Sequence, residues 1–111
     1  MSVDFVTEER DRAVSVALSG ELDLTTAAAV EERLMELEAE QPAHVILDLR
    51  EVEFIDSTGL SLLINADSRG RKAGRRVTIV SGGGRAGRIF DTTGLRGRLE
   101  VVEDPPGVEP E

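Results

Sequence analysis

Hydroxyl and carboxylate side chains stand together at one point of the chain, in the segment Asp56-Ser57-Thr58-Gly59-Leu60. A helical pattern follows, and the first N–H groups of a helix are unpaired and carry partial positive charge. A hydroxyl beside such groups is a place where a phosphate is tolerated. Ser57 and Thr58 equally suit the capping position of a helix, for purely structural reasons. Local chemistry therefore allows a phosphorylation site here without choosing between the two hydroxyls.

Catalytic chemistry is less well supported by the residue types. Ser57 has no base in the pattern to activate it, and the single histidine, His44, has no nucleophile near it in sequence. Asp23, Asp48 and Asp56 are candidates to surround a divalent cation, but no close acidic pair supports them. We therefore expect a protein that is not an enzyme and that holds no metal.

Two further functional classes, a receiver domain and a nucleotide-binding P-loop, also lack the residues that they require. A receiver domain with a phosphoacceptor aspartate needs a basic residue at the end of a late strand, whereas the only lysine, Lys72, ends a helical pattern. Gly82-Gly83-Gly84 lacks the Lys-Ser/Thr ending of a phosphate-binding P-loop, which favours a flexible turn.

Alternating and continuous apolar runs predict the elements that position these residues. Residues 3–7 and 14–18 alternate like the two strands of a hairpin that ends at Gly20. Residues 45–49 and 77–80 are almost continuously apolar, which is typical of strands covered on both faces in a parallel sheet. A last strand is predicted over 99–102.

Helical spacing predicts three helices between those strands. The first, capped by Thr25 or Thr26, turns Ala27, Val30, Leu34 and Leu37 inward and ends at Gln41-Pro42. The second runs from about 58 to 72, with Leu60, Leu63 and Ile64 inward. A short third helix covers 85–91. The pattern of strand, helix and strand from 45 to 80 is a βαβ unit.

Composition limits the class of partner. The chain has 111 residues, enough for one domain, which we assign to 1–102, followed by an acidic tail over 103–111 with the composition of a disordered segment. A net charge of −9 and only three Phe argue against nucleic-acid binding and against anionic membranes. No cysteine, signal peptide or apolar run long enough for a membrane span is present, so we expect a soluble cytoplasmic protein.

The chain resembles the STAS-domain family, and within it the bacterial anti-sigma factor antagonists. The resemblance covers about residues 3–102 and is carried by Gly20-Glu21-Leu22-Asp23, by the strand at 45–49, and by Val52 through Leu60. The run Ile89-Phe90 through Thr93-Gly94-Leu95 also resembles the end of the family's last helix. The implied fold is α/β, a single domain with a mixed sheet of about five strands, the first at one edge, and helices mainly on one face.

The resemblance also implies a function. An unphosphorylated antagonist binds an anti-sigma factor that is a serine kinase, and this frees the sigma factor. Phosphorylation of the matching serine, Ser57, releases the kinase, and a serine phosphatase resets the cycle. Residues implied to lie near the site are Asp23, Asp56, Thr58, Gly59 and Leu60, with Thr58 as second choice for the phosphate. No cofactor is expected, and the alternative is a STAS adaptor that binds a protein without being phosphorylated.

Overall fold

A computed structural model of the chain describes residues 2–106, which form five strands and three α-helices. The elements in chain order are β1 Val3–Arg10, β2 Ala13–Leu22, α1 Ala27–Glu38, β3 His44–Ile55, α2 Ser57–Ala73, β4 Arg76–Val80, α3 Arg85–Thr93 and β5 Glu100–Val102, with a short 3-10 turn at Leu95–Gly97 before the last strand.

The strands lie in one mixed sheet in the order β1-β2-β3-β4-β5. β1 and β2 form an antiparallel hairpin, and every later neighbour is parallel. Parallel neighbours need a crossover connection, and α1, α2 and α3 supply the three that this order requires. The α/β class, the hairpin and the edge position of the first strand are confirmed.

One face of the sheet carries the core beneath the helices. Val16, Leu47 and Ile79 lie side by side on β2, β3 and β4 and are at most 1% exposed. The same cluster includes Leu34 of α1, Leu63 of α2 and Phe90 of α3. The three helices therefore pack on the same face, as predicted.

Three strands, β1, β2 and β3, are longer than the apolar runs indicate, and β3 extends from His44 to Ile55. β1 continues to Arg10, because an edge strand tolerates alternating charged residues on its solvent side. β2 passes through Gly20 instead of ending there. Gly20 has φ +100°, and a Cβ at this position would lie 2.4 Å from the carbonyl oxygen of Ser2. This conformation accompanies the register shift that lets β2 follow β3 to its end.

α2 faces the core differently from the prediction. Its buried positions are Gly59, Leu62, Leu63, Ala66 and Gly70, which follow helical spacing. Leu60 and Ile64, predicted to point inward, are half-buried at the edge of the core. Small residues set the buried stripe of this helix, which a search for large apolar side chains does not detect.

The segment that follows β5 is described as far as residue 106. Residues 107–111 of the predicted tail lie outside the described residues, and the boundary at 102 remains a prediction. At the start of that segment the N–H of Gly82 donates a hydrogen bond to the carbonyl oxygen of Glu103 (3.2 Å). None of the helices formed by residues 2–106 has both the length and the apolar character that crossing a membrane requires.

Candidate functional site

Asp56 caps the N-terminus of α2. Its backbone is extended (φ −104°, ψ −173°), and its Oδ1 accepts a hydrogen bond from the N–H of Gly59 at 3.0 Å. The capping role considered for Ser57 or Thr58 therefore belongs to the residue before them. A capping role therefore does not account for the Ser57 hydroxyl, because the Asp56 carboxylate already caps this end of the helix.

The second oxygen of the same carboxylate fastens the loop after β2. The N–H of Leu24 donates to Asp56 Oδ2 (3.1 Å), and the N–H of Asp56 donates to the carbonyl oxygen of Leu22 (3.3 Å). These contacts join segments that are 32 residues apart in the chain. They bring Asp23 and Asp56 to the same rim of the sheet, beyond the carboxyl ends of β2 and β3.

Gly59 serves internal packing. It is buried, and a Cβ built on it would lie 2.3 Å from the carbonyl oxygen of Leu22 and 3.0 Å from Cγ2 of Ile55. The close approach to its backbone is made by β2 of the same chain.

Ser57 occupies the first helical position of α2 and is exposed. None of the side-chain hydrogen bonds formed among residues 2–106 uses its hydroxyl. Thr58 beside it is half-buried, and Leu60 packs against the edge of the core. Of the two hydroxyls that the sequence leaves open, Ser57 is the more accessible to a partner.

Asp23 is a buried carboxylate, with 3% of its surface exposed. Its Oδ1 accepts hydrogen bonds from the hydroxyl (2.7 Å) and the N–H (2.9 Å) of Thr25 and from the N–H of Thr26 (3.2 Å). The hydroxyl bond from Thr25, followed by these N–H bonds, lowers the pKa of Asp23 against the opposing effect of burial. Oδ2 has no hydrogen-bond partner within the described part of the chain. The rim therefore holds a fixed negative charge at neutral pH.

Two large apolar side chains are exposed around this rim. Leu24 is 75% exposed in the loop that Asp56 fastens, and Phe54, two residues before Asp56, is 45% exposed. Val52 and Ile55 of the same strand as Phe54 belong to the core. The sequence pattern missed Leu24, although an apolar residue between Asp23 and two threonines, outside both periodic runs, is a usable signal.

The structure does not gather all three carboxylates of the metal alternative, although Asp23 and Asp56 share the rim. No group of three or more metal-ligating side chains occurs in the described range. Asp48 lies within β3, where Nε and Nη2 of Arg50 donate to its carboxylate (2.9 and 2.8 Å). His44 begins β3, whereas Ser57 lies two residues beyond Ile55, the last residue of that twelve-residue strand.

Comparison with known proteins agrees with this fold. The chain is 29% identical over 107 residues to the anti-sigma-B factor antagonist of Bacillus subtilis (strain 168), covering 96% of this chain and 97% of the relative. It is 29% identical over 103 residues to the protein of the same name from Staphylococcus aureus (strain NCTC 8325 / PS 47), covering 93% and 95%.

A crystal structure of an anti-sigma factor antagonist from Mycobacterium paratuberculosis is similar as well. It superimposes with a TM-score of 0.84 at 29% identity, over 93% of this chain and 87% of the other. The sequence model of the STAS domain matches residues 4–104, nearly the whole chain. The chain therefore belongs to the STAS domain family.

Proposed function

We propose that this protein is a cytoplasmic anti-sigma factor antagonist, a regulator and not an enzyme. Its unphosphorylated form binds an anti-sigma factor that is a serine kinase, and phosphorylation of Ser57 ends the binding. The observation that carries the proposal is the exposed Ser57 hydroxyl at the start of α2, on a rim flanked by the exposed side chains of Leu24 and Phe54. The names of the relatives support the same class of function.

Leu24 and Phe54 supply the apolar part of the proposed interface. When a partner covers exposed apolar side chains, the complex is stabilised by about 25 cal/mol per Å² of apolar surface removed from water. Leu24 is held in place by the bond from its N–H to Asp56, so little loop ordering is needed on binding. We infer that the two side chains lie beneath the kinase when it reaches Ser57.

The charges of the rim determine whether phosphorylation favours binding or release of the kinase. A phosphate on Ser57 adds about −1.5 to −2 charges at neutral pH. It would stand next to the Asp56 carboxylate, with buried Asp23 on the same rim. Like charges forced together in an interface cost several kcal/mol, so phosphorylation favours release over recruitment. A serine phosphatase is the activity that restores the binding form.

The phosphorylation step is tested with the candidate kinase of the source organism, ATP and mass spectrometry. We expect one phosphate on the wild type, located on Ser57, and none on Ser57→Ala. Ser61→Ala is the matched control, because Ser61 is also exposed and lies one turn further along α2. Modification of Thr58 or Ser61 in place of Ser57, or of no residue at all, contradicts the proposed site.

The release step is tested by the affinity for the same kinase without ATP. Ser57→Asp is expected to bind at least about 100-fold more weakly than wild type, which corresponds to about 2.7 kcal/mol. Ser61→Asp adds the same charge one turn away and should stay near wild type. Equal affinities of wild type and of Ser57→Asp would favour the alternative, an adaptor that is not switched by phosphate.

The apolar contact is tested separately from the switch. Leu24→Ser and Phe54→Ser should each weaken kinase binding about tenfold or more, because each removes apolar area from the interface. Met35→Ser is the control, since Met35 is 52% exposed on α1. Unchanged affinity for both rim variants would show that the kinase binds elsewhere.

A further inference from the structure

β1 is an open edge of the sheet. Within residues 2–106 its only neighbour in the sheet is β2, with which it pairs in unbroken register from Val3 to Arg10. An eight-residue edge strand presents a row of backbone groups that no strand satisfies. Val6 in the middle of this strand is 68% exposed.

The hairpin register determines which backbone groups point outward. The N–H of Glu21 donates to the carbonyl oxygen of Ser2 at 2.9 Å, so this facing pair is a hydrogen-bonded one. Bonded and non-bonded pairs alternate along an antiparallel ladder. The free N–H and C=O groups of the edge therefore belong to Val3, Phe5, Thr7 and Glu9.

The remaining residues of β1 carry complementary charges on one face of the sheet. Asp4, Val6, Glu8 and Arg10 are all exposed and point to the face opposite the helices. Asp4 and Arg10 take part in none of the ion pairs formed within residues 2–106. A strand with unpaired charges of opposite sign near its two ends suits an antiparallel copy of itself.

We propose that a second copy of this chain pairs with β1 across a twofold axis at Thr7. Thr7 then faces Thr7 of the second copy, and the outward groups of Phe5 bond to those of Glu9. Asp4 faces Arg10 in a non-bonded pair, the type in which facing side chains are closest. The symmetry gives this ion pair twice and joins two five-stranded sheets into one.

The charges select this register over its neighbours. A shift by one residue places the outward backbone groups of one copy opposite backbone groups of the other copy that are already bonded to its own β2. A shift by two residues places Asp4 opposite Glu8 in one direction and Glu8 opposite Glu8 in the other. Both alternatives bring like charges face to face, which destabilises a sheet. Of these registers, only the Thr7-centred one combines free backbone groups with opposite charges.

The test is sedimentation equilibrium of the full chain in physiological salt, from micromolar to millimolar concentration. The wild type should show a monomer–dimer equilibrium. Asp4→Arg makes both facing positions basic and Arg10→Asp makes both acidic, so each alone should dimerise at least about tenfold more weakly. An equimolar mixture of the two variants should recover dimers, because every facing pair is then of opposite charge.

Two further variants separate pairing from net charge. Arg12→Asp makes the same charge change in the turn beyond β1 and should leave the equilibrium near wild type. Thr7→Pro removes an outward N–H, a change that an edge strand accepts, and should abolish the dimer while circular dichroism stays native. A monomeric wild type, no recovery in the mixture, or equal effects of Arg10→Asp and Arg12→Asp would overturn the proposal. None of these residues belongs to the Ser57 site, so the proposed function stands or falls separately.

Discussion

At the scale of single residues, the two oxygens of the Asp56 carboxylate make two different structural contacts. One oxygen caps α2 through Gly59, and the other holds the loop after β2 through Leu24. The charge beside Ser57 is therefore part of the fold and is present whether or not a partner is bound. A phosphate on Ser57 would always meet it, which makes the proposed switch a property of the isolated chain.

Removal of the Asp56 carboxylate should lower stability measurably. Asp56→Ala loses both hydrogen bonds and is expected to reduce the free energy of unfolding by about 1–2 kcal/mol. Asp56→Asn keeps one acceptor and should lose less. Urea denaturation measures the change, with Glu51→Ala, an exposed acidic residue of β3, as the control. A change for Asp56→Ala no larger than that of the control would contradict the capping role.

At the scale of elements, the position of the site depends on how closely α2 approaches β2. Gly59 allows the helix to touch the backbone of Leu22, and Gly70 allows it to pack closely on the side chain of Val77 of β4. α1 is joined to α2 by Arg69, whose guanidinium donates to Glu31 and to Glu38. Gly59 therefore positions the start of α2, with Ser57, while Arg69 and Gly70 hold its later turns.

A side chain at Gly59 should disturb this packing. In Gly59→Ala the new methyl group would lie 2.3 Å from the Leu22 carbonyl oxygen, so either α2 or β2 must move. We expect a loss of about 1–3 kcal/mol in the free energy of unfolding, and a lower rate of Ser57 phosphorylation. Gly97→Ala is the control, since nothing lies within 4 Å of its Cβ position. Equal unfolding midpoints in denaturant for the two variants would rule out the close contact.

At the scale of the whole molecule, a polar cluster links the later strands on the face away from the helices. Nε2 of His44 lies 2.7 Å from the Thr78 hydroxyl, which donates to Glu100 (2.9 Å). Arg76 donates to the same carboxylate at 2.6 and 2.9 Å. β3, β4 and β5 are thereby connected through side chains as well as through their ladders.

This cluster predicts how stability depends on pH. Burial, and then the positive charge of Arg76, lower the pKa of His44 against the opposing effect of Glu100. The unfolded chain therefore binds a proton at His44 before the folded chain does. The free energy of unfolding should fall as pH drops below about 6.5, by at most about 1.4 kcal/mol per pH unit.

Thermal unfolding between about pH 7 and pH 5 measures this effect of His44, whose ordinary pKa lies within that range. His44→Gln should flatten the profile in that window. Glu100, whose pKa is lowered chiefly by its bond to Arg76, should add a separate loss below its ordinary value of 4.5. A wild-type profile that is flat from pH 7 to pH 5 would contradict the assignment to His44.

The sequence alone predicts every element that rests on local periodicity. The continuous runs at 45–49 and 77–80, the hairpin and the three helices are all present, because alternation and helical spacing are properties of neighbouring residues. The strand ends were missed where β1 and β3 continue through charged residues, since pairing with another strand decides how far they extend. Residue types allow a phosphorylation site in the segment from Asp56 to Leu60, and the resemblance to the STAS family selects Ser57 within it.

Tertiary structure decided how that segment is used. The bond between Leu24 and Asp56 spans 32 residues of chain, and no local pattern shows it. It brings Asp23 to the same rim as Ser57 and holds Leu24 beside them, whereas the cap that Asp56 forms with Gly59 is local. The absence of a side chain at Gly59 likewise matters only because β2 lies against it. Sequence supplied the chemical groups of the candidate site, and packing between distant segments determined which of them face solvent.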